Sequence, residues 1–122
     1  MSTLLHDVAT HTAFALALSP QTLTDDATGS AVELPDGDGP AFAVVQIGGL
    51  AGGTTVSVEF EQSSNGSSWS AVPTDIPAQT AGGVTAVTFT RDARYLRCQV
   101  ALTGGSPSAD VAVLVGQQKK VV

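Results

Sequence analysis

The chain has 122 residues, which suits one domain, and 43% of them are apolar although only 5% are aromatic. Charged residues make up 13%, so Glu, Lys and Arg are too few to line the solvent faces of several helices. The net charge of −6 argues against direct binding of nucleic acid, and no apolar run is long enough to predict a membrane span.

The first twenty residues are apolar but have no regular period. We interpret residues 1–20 as an N-terminal arm that docks on a neighbouring molecule, or alternatively as the first strand of the domain, running over Ala13–Leu18. If these residues form an arm, its candidate contact residues are Leu4, Leu5, Val8, Phe14, Leu16 and Leu18.

From residue 21 onward, short apolar segments alternate with turn signals. The predicted strands are Gly29–Leu34, Ala41–Gly49, Thr55–Glu61, Trp69–Val72, Val84–Thr90, Arg94–Leu102 and Asp110–Gly116. This spacing predicts an all-β fold, an antiparallel β-sandwich or jelly-roll-like domain of about seven to eight strands over residues 21–116. A short tail over 117–122 follows.

The stretch "VSVEFEQSSNGSSWSAVP" predicts a β-hairpin. Strict alternation up to Glu61 gives a strand with one apolar face and one polar face, and Asn65-Gly66 supplies the turn. Trp69 either packs over the strand pair or forms a platform on which a sugar stacks.

The predicted core combines the inward positions of all these strands. Cys98 stands alone, so an internal disulfide is excluded, and we interpret it as a small buried apolar residue. The core residues are Phe42, Ile47, Val56, Val58, Phe60, Trp69, Phe89, Leu96, Cys98, Val100 and Val113.

No pattern of residues predicts catalysis, a cofactor or a metal site. Glu59 and Glu61 share one face of a strand, as solvated side chains do, and the motifs that hold phosphate are missing. Asp36 and Asp38 in "LPDGDGP" are the best calcium candidate, although Asp-Gly is also ordinary turn chemistry.

Charge is distributed unevenly along the chain. Residues 1–90 hold nine acidic residues and no Lys or Arg, whereas residues 91–122 hold all five bases. The split either arises by chance or indicates that Arg91, Arg94 and Arg97 contact an acidic surface. That surface would belong to another protein or to a second copy of the chain.

The phrases "LTDDATGSAVELPDGDGPAFAVVQIGG", "VEFEQSSNGSSWSAVP", "ARYLRCQVAL" and "GGSPSADVAVLVGQQKK" resemble those of small β-sandwich virion proteins of tailed bacteriophages. The resemblance covers about residues 20–120. It implies a non-enzymatic structural protein, a capsid decoration or cement protein that is made in the host cytoplasm. Such a protein binds the major capsid protein on the assembled head, stabilises the head and self-associates on the capsid surface of the virion.

Two alternatives remain open at this point. One is another virion component of the same fold, from the tail or the neck. The other is a discoidin-like carbohydrate-binding module, because such jelly rolls also carry an Asp-Gly hairpin followed by Trp and an Arg-Tyr strand. Here Asn65-Gly66 stands in place of Asp-Gly.

Overall fold

The structure is a computed structural model that describes residues 12–34, 37–74 and 76–119. Nine antiparallel strands form two packed sheets within these residues, which confirms the predicted β-sandwich. The strands are β1 (Thr12–Leu23), β2 (Ala27–Thr28), β3 (Val32–Glu33), β4 (Gly37–Gly48), β5 (Thr55–Ser63), β6 (Ser70–Val72), β7 (Gly83–Phe89), β8 (Tyr95–Thr103) and β9 (Ala109–Lys119). The described part of the chain contains no helix long and apolar enough to cross a membrane.

The two sheets differ in how their strands are ordered. In the four-stranded sheet the order is β1-β9-β4-β7, so the last strand lies between the first and the fourth. In the five-stranded sheet β8 is central, with β2 and β3 on one side, β5 on the other, and β6 beyond β5. We call these the four-stranded sheet and the five-stranded sheet throughout.

The core fills the space between the sheets. Alternation places Val111, Val113 and Val115 of β9 inward, each at most 1% exposed, and Phe60 of β5 stacks on Phe89 of β7 with ring centroids 5.4 Å apart. Nine of the residues assigned to the core from the sequence are buried: Ile47, Val56, Val58, Phe60, Phe89, Leu96, Cys98, Val100 and Val113.

The structure decides between the two interpretations of Ala13–Leu18 and extends the sandwich beyond residues 21–116 at both ends. Ala13–Leu18 belongs to β1, which pairs with β9 from Thr12 opposite Gln118 to Leu23 opposite Ala109, so these residues form the first strand and not a free arm. β9 continues to Lys119, beyond the predicted end at residue 116. Leu4, Leu5 and Val8 lie outside the described residues.

Side chains close the predicted hairpin between β5 and β6. Gly66 takes a φ of +77°, which costs glycine little, and its N–H donates to the Ser63 hydroxyl at 2.8 Å. The Asn65 side-chain oxygen accepts from the N–H groups of Ser67 and Ser68 at 2.8 and 2.9 Å. Short polar side chains therefore satisfy the backbone of this six-residue connection.

Gly29 joins the two sheets at the edge formed by β1. Its N–H donates to Cys98 O at 2.8 Å, and the next residue, Ser30, donates its N–H to Ala17 O at 2.9 Å. Ala17 lies at a register shift of β1, where its carbonyl turns towards the other sheet. A β-carbon on Gly29 would overlap that carbonyl oxygen and come within 2.7 Å of the Cys98 sulfur.

We expect Gly29→Ala to destabilise the domain by about 1–3 kcal/mol, because the added methyl forces backbone atoms apart in a packed region. Urea denaturation followed by tryptophan fluorescence measures the change. Gly48→Ala is the matched control, since its β-carbon would have no neighbour within 4 Å. Equal stability of Gly29→Ala and Gly48→Ala would contradict the close approach.

Candidate interaction surface

The outward face of the four-stranded sheet is apolar. Three of its side chains are the large exposed apolar ones of the described residues: Phe14 and Leu16 at 49% and Val84 at 63%. The other side chains of this face are either small or partly covered by their neighbours on the same face. The set, which we call the apolar face, consists of Phe14, Leu16, Phe42, Val44, Val84, Ala86, Ala112 and Leu114.

Strand register brings these side chains together in rows. Leu16 lies opposite Leu114, Leu114 opposite Val44, and Val44 opposite Ala86, so one row crosses all four strands. Residues directly opposite one another in an antiparallel sheet have β-carbons about 5 Å apart, so the row forms a continuous surface.

An aromatic pair forms the next row. The rings of Phe14 and Phe42 meet edge to face with centroids 5.7 Å apart, above Gly116 on the strand between them. A β-carbon on Gly116 would come within 2.5 Å of the Phe42 ring, so glycine makes room for the pair. The sequence assigned Phe42 to the core, and the structure corrects this because Phe42 points away from the other sheet.

The apolar face ends in a shallow cavity of about 310 Å³. Pro20, Gln46, Val84 and Ala112 lie along its wall. Asp110 also lines it and is the one charged group on this face among the described side chains; the Thr22 hydroxyl donates to its carboxylate. The face therefore offers a partner apolar contact over most of its area and a polar anchor only at the rim.

The outward face of the five-stranded sheet is polar and internally paired. The Glu61 carboxylate accepts from Arg97 Nε at 2.8 Å and from Gln99 Nε2 at 2.9 Å. Thr28 in turn donates to Gln99 Oε1 at 2.7 Å. The hydrogen bond from Gln99 and the Arg97 guanidinium lower the pKa of Glu61.

Trp69 belongs to this polar face and not to the core, contrary to its assignment from the sequence. The side chain is half-buried, and the Arg97 guanidinium covers one side of the ring at 4.2 Å from its centroid. Arginine stacks on indole in this way because the ring face is electron-rich. The ring therefore has one side already occupied, which counts against a role as an open sugar platform.

The three arginines that the sequence marked as interface candidates contact groups of their own chain. Arg97 pairs with Glu61, and Arg94 pairs with Glu33 at 2.9 Å while lying 5.6 Å from the Tyr95 ring centroid. Arg91 donates to the carbonyls of Ala93 and Leu34 and to the Gln117 side chain. Sequence reasoning found the two charge groups but could not identify the strands that pair them.

Reactive groups are sparse on both faces. Burial raises the pKa of the Cys98 thiol to about 11, so this sulfur is poorly suited to act as a nucleophile. No cluster of three His, Cys, Asp or Glu side chains suited to a metal occurs in the described part of the chain. Asp36 and the Asp38 side chain, the calcium candidates, lie outside what the structure describes, as does each histidine.

Comparison of the chain with protein-family models and with curated proteins finds no match. The apolar face was absent from the sequence predictions as a surface, although Phe14 and Leu16 were marked as contact residues. Leu18 was marked with them, and this assignment was wrong because Leu18 is buried in the core. Its sequence signal is the nearly continuous apolar run of β4. In a two-layer sandwich, each sheet has only one covered face, so such a run leaves half of its side chains exposed.

We expect Trp69→Ala to destabilise the domain by about 1–2 kcal/mol, since it removes a half-buried ring and one contact with a guanidinium. Phe60→Ala should cost about 3–5 kcal/mol, because that ring is fully buried and leaves a cavity. Chemical denaturation followed by far-ultraviolet circular dichroism gives both values. If Trp69→Ala lowered the free energy of unfolding as much as Phe60→Ala, the placement of Trp69 outside the core would be wrong.

The ion pair of Glu61 should make stability depend on pH. A carboxyl whose folded pKa lies below its unfolded value stabilises the fold above the unfolded pKa, and that contribution disappears as the pH falls through the folded pKa. Glu61→Gln should therefore be less stable than the wild type at neutral pH, with the difference shrinking below about pH 4. Thermal unfolding from pH 7 to pH 3 measures this.

Glu59→Gln is the matched control for this comparison, since Glu59 lies two residues earlier on the same face and is exposed. The same pH-dependent difference in Glu59→Gln would assign the effect to net charge and not to the contacts of Glu61.

Proposed function

We propose that this chain is a non-enzymatic structural protein of a tailed-phage virion, a capsid decoration protein that binds the assembled head through the apolar face. The observation that carries the proposal is the apolar face itself, which is exposed, formed by regular strands and free of charged side chains except at Asp110 among those described. The resemblance of the sequence to β-sandwich virion proteins supplies the partner, a major capsid protein.

The contrast between the two outward faces supports binding through the apolar face, with the polar face turned towards solvent. A protein that coats a shell has one side against the shell and one side in solvent. The apolar face has the composition of the buried centre of an interface, where charged residues are depleted. On the polar face Glu61 is paired with Arg97 at 2.8 Å and Glu59 is exposed to solvent, so this face suits the side that is turned towards water.

The size of the apolar face also fits binding. Four strands spaced by about 4.8 Å give a width of about 20 Å, and a similar length along the strands gives a footprint of roughly 400 Å². The largest apolar patch on an ordinary monomer covers roughly 300–600 Å² and is often functional. The strands hold this surface in place before binding, so little conformational entropy is lost when it docks.

Binding to heads that lack the protein tests the proposal. Heads from a deletion mutant of the phage that encodes the chain are mixed with purified protein and sedimented. We expect Leu16→Lys to bind at least about tenfold more weakly than the wild type, because burying one leucine contributes about 1.5–3 kcal/mol. Fractionation of wild-type virions should find the protein in heads and not in tails.

Ala101→Lys is the matched control. It adds the same charge at an exposed position on the outward face of the five-stranded sheet, so we expect it to bind as the wild type does. Circular dichroism and denaturation establish that both variants are folded. A folded Leu16→Lys protein that still binds heads at wild-type strength would overturn the assignment of this face, and recovery of the protein in tails would overturn decoration of the head.

A further inference from the structure

Most edges of the two sheets are protected against pairing with another chain. β2 and β3 have two residues each and β6 has three, which is too short to guide a partner strand. β1 is longer, but it contains Pro20 and two register shifts, and its Ala17 carbonyl is already bonded to Ser30. These are the usual ways in which proteins keep edges from associating.

The edge formed by β7 lacks these protections. Its seven residues pair with β4 in unbroken register from Gly83 opposite Ile47 to Phe89 opposite Ala41. Within the described residues no strand pairs with its other side. The sequence "GVTAVTF" has no charge and no proline and is rich in β-branched residues, and its Val84 is 63% exposed.

We propose that β7 pairs with β7 of a second copy of this chain, antiparallel about a twofold axis at Ala86. The two four-stranded sheets then form one continuous eight-stranded sheet. Main-chain hydrogen bonds between edge strands provide the contact, as in other cases of strand addition. The pairing itself does not require a shell, whereas its role in shell binding rests on the proposed function.

The charge distribution permits a second copy at this edge although the chain as a whole is acidic. In a twofold contact every charge on the strand is repeated in the second copy at a similarly short distance from the axis, so an uncharged strand suits such a contact. The chain as a whole carries −6 and would repel its copy. β7 and its outward residues Val84, Ala86 and Thr88 are uncharged, so this edge avoids that repulsion.

The alternation of side chains selects the register. Directly opposite residues of paired strands lie on the same face of the sheet. The apolar faces of both copies therefore point the same way only when a residue lies opposite the same residue of the second copy, with the twofold axis between them. An axis at Ala86 also pairs all seven residues. It places Ala86 opposite Ala86, Val84 opposite Thr88 and Thr85 opposite Val87.

The area of the joined face explains why pairing is useful on a shell. One apolar face provides roughly 400 Å², about half of the roughly 800 Å² per partner of a standard stable interface. Two faces joined through β7 reach that size on one continuous surface. The contact between the two β7 strands buries less area than the joined apolar face, so the dimer is weak in solution. Binding of both copies to one surface holds them side by side and strengthens their association.

Disulfide cross-linking of single-cysteine variants tests the register. In Ala86→Cys the two introduced thiols lie directly opposite, with α-carbons about 4.5–5.5 Å apart, which a disulfide spans. Mild oxidation should shift the 12.3 kDa monomer to a covalent dimer of twice that mass on non-reducing gels. Cys98 is buried in every variant and does not contribute a reactive thiol.

Thr88→Cys is the matched control on the same strand and the same face. Its two thiols would lie about four residues apart along the strands, roughly 14 Å, so it should stay monomeric. A mixture of Val84→Cys with Thr88→Cys should form the mixed dimer, because those positions are opposite each other. Sedimentation of the wild type at increasing concentration should show a rising dimer fraction.

Three results would overturn the proposal. Equal cross-linking of Ala86→Cys and Thr88→Cys would indicate random collision of exposed thiols, and cross-linking of Thr88→Cys alone would indicate another contact. A monomeric wild type at all soluble concentrations, together with an Ala86→Cys variant that does not cross-link, would exclude the pairing. Leu16→Lys reports separately on head binding, because Leu16 lies on β1 at the opposite edge of the sheet.

Discussion

The fold depends on the insertion of β9 between β1 and β4. This one strand joins the beginning of the chain to its middle, and its inward valines Val111, Val113 and Val115 lie at the centre of the core. Both strands with which it pairs are distant in sequence, so the four-stranded sheet cannot close until β9 is present. The apolar face depends on the same event, because Leu16, Leu114 and Val44 come together only across β9.

Alternation along the sequence predicted the fold and most of the core, since a period of two is a direct consequence of strand geometry. It was less informative where a strand is apolar on both faces. The run containing Phe42 was interpreted as a buried central strand, and it is central, yet its outward side chains are open to a partner. Hydrophobic pattern reports which residues avoid water but not whether the covering surface belongs to the same molecule.

The charge split illustrates a second limit of sequence reasoning. Acidic residues of β3 and β5 are far along the chain from Arg97 of β8 and from Arg94, which directly precedes β8. The five-stranded sheet brings them together, so that Glu61 contacts Arg97 and Glu33 contacts Arg94. An uneven distribution along the sequence thus becomes a set of local pairs. The environment of Trp69 could not be predicted for the same reason. Arg97, which covers its ring, belongs to β8, and the sequence alone does not reveal that β8 lies beside it.

The antiparallel pairing of β1 and β9 has a mechanical consequence. Thr12 lies opposite Gln118, so these two ends of the described chain meet at one corner of the sheet. Tension applied between them would break the hydrogen bonds between β1 and β9 one after another. Each bond would carry the load alone, so the two strands would separate at low force. Force directed across the broad sheet would instead be shared by all four strands. The domain should therefore resist load that is spread over the four-stranded sheet better than load applied at Thr12 and Gln118.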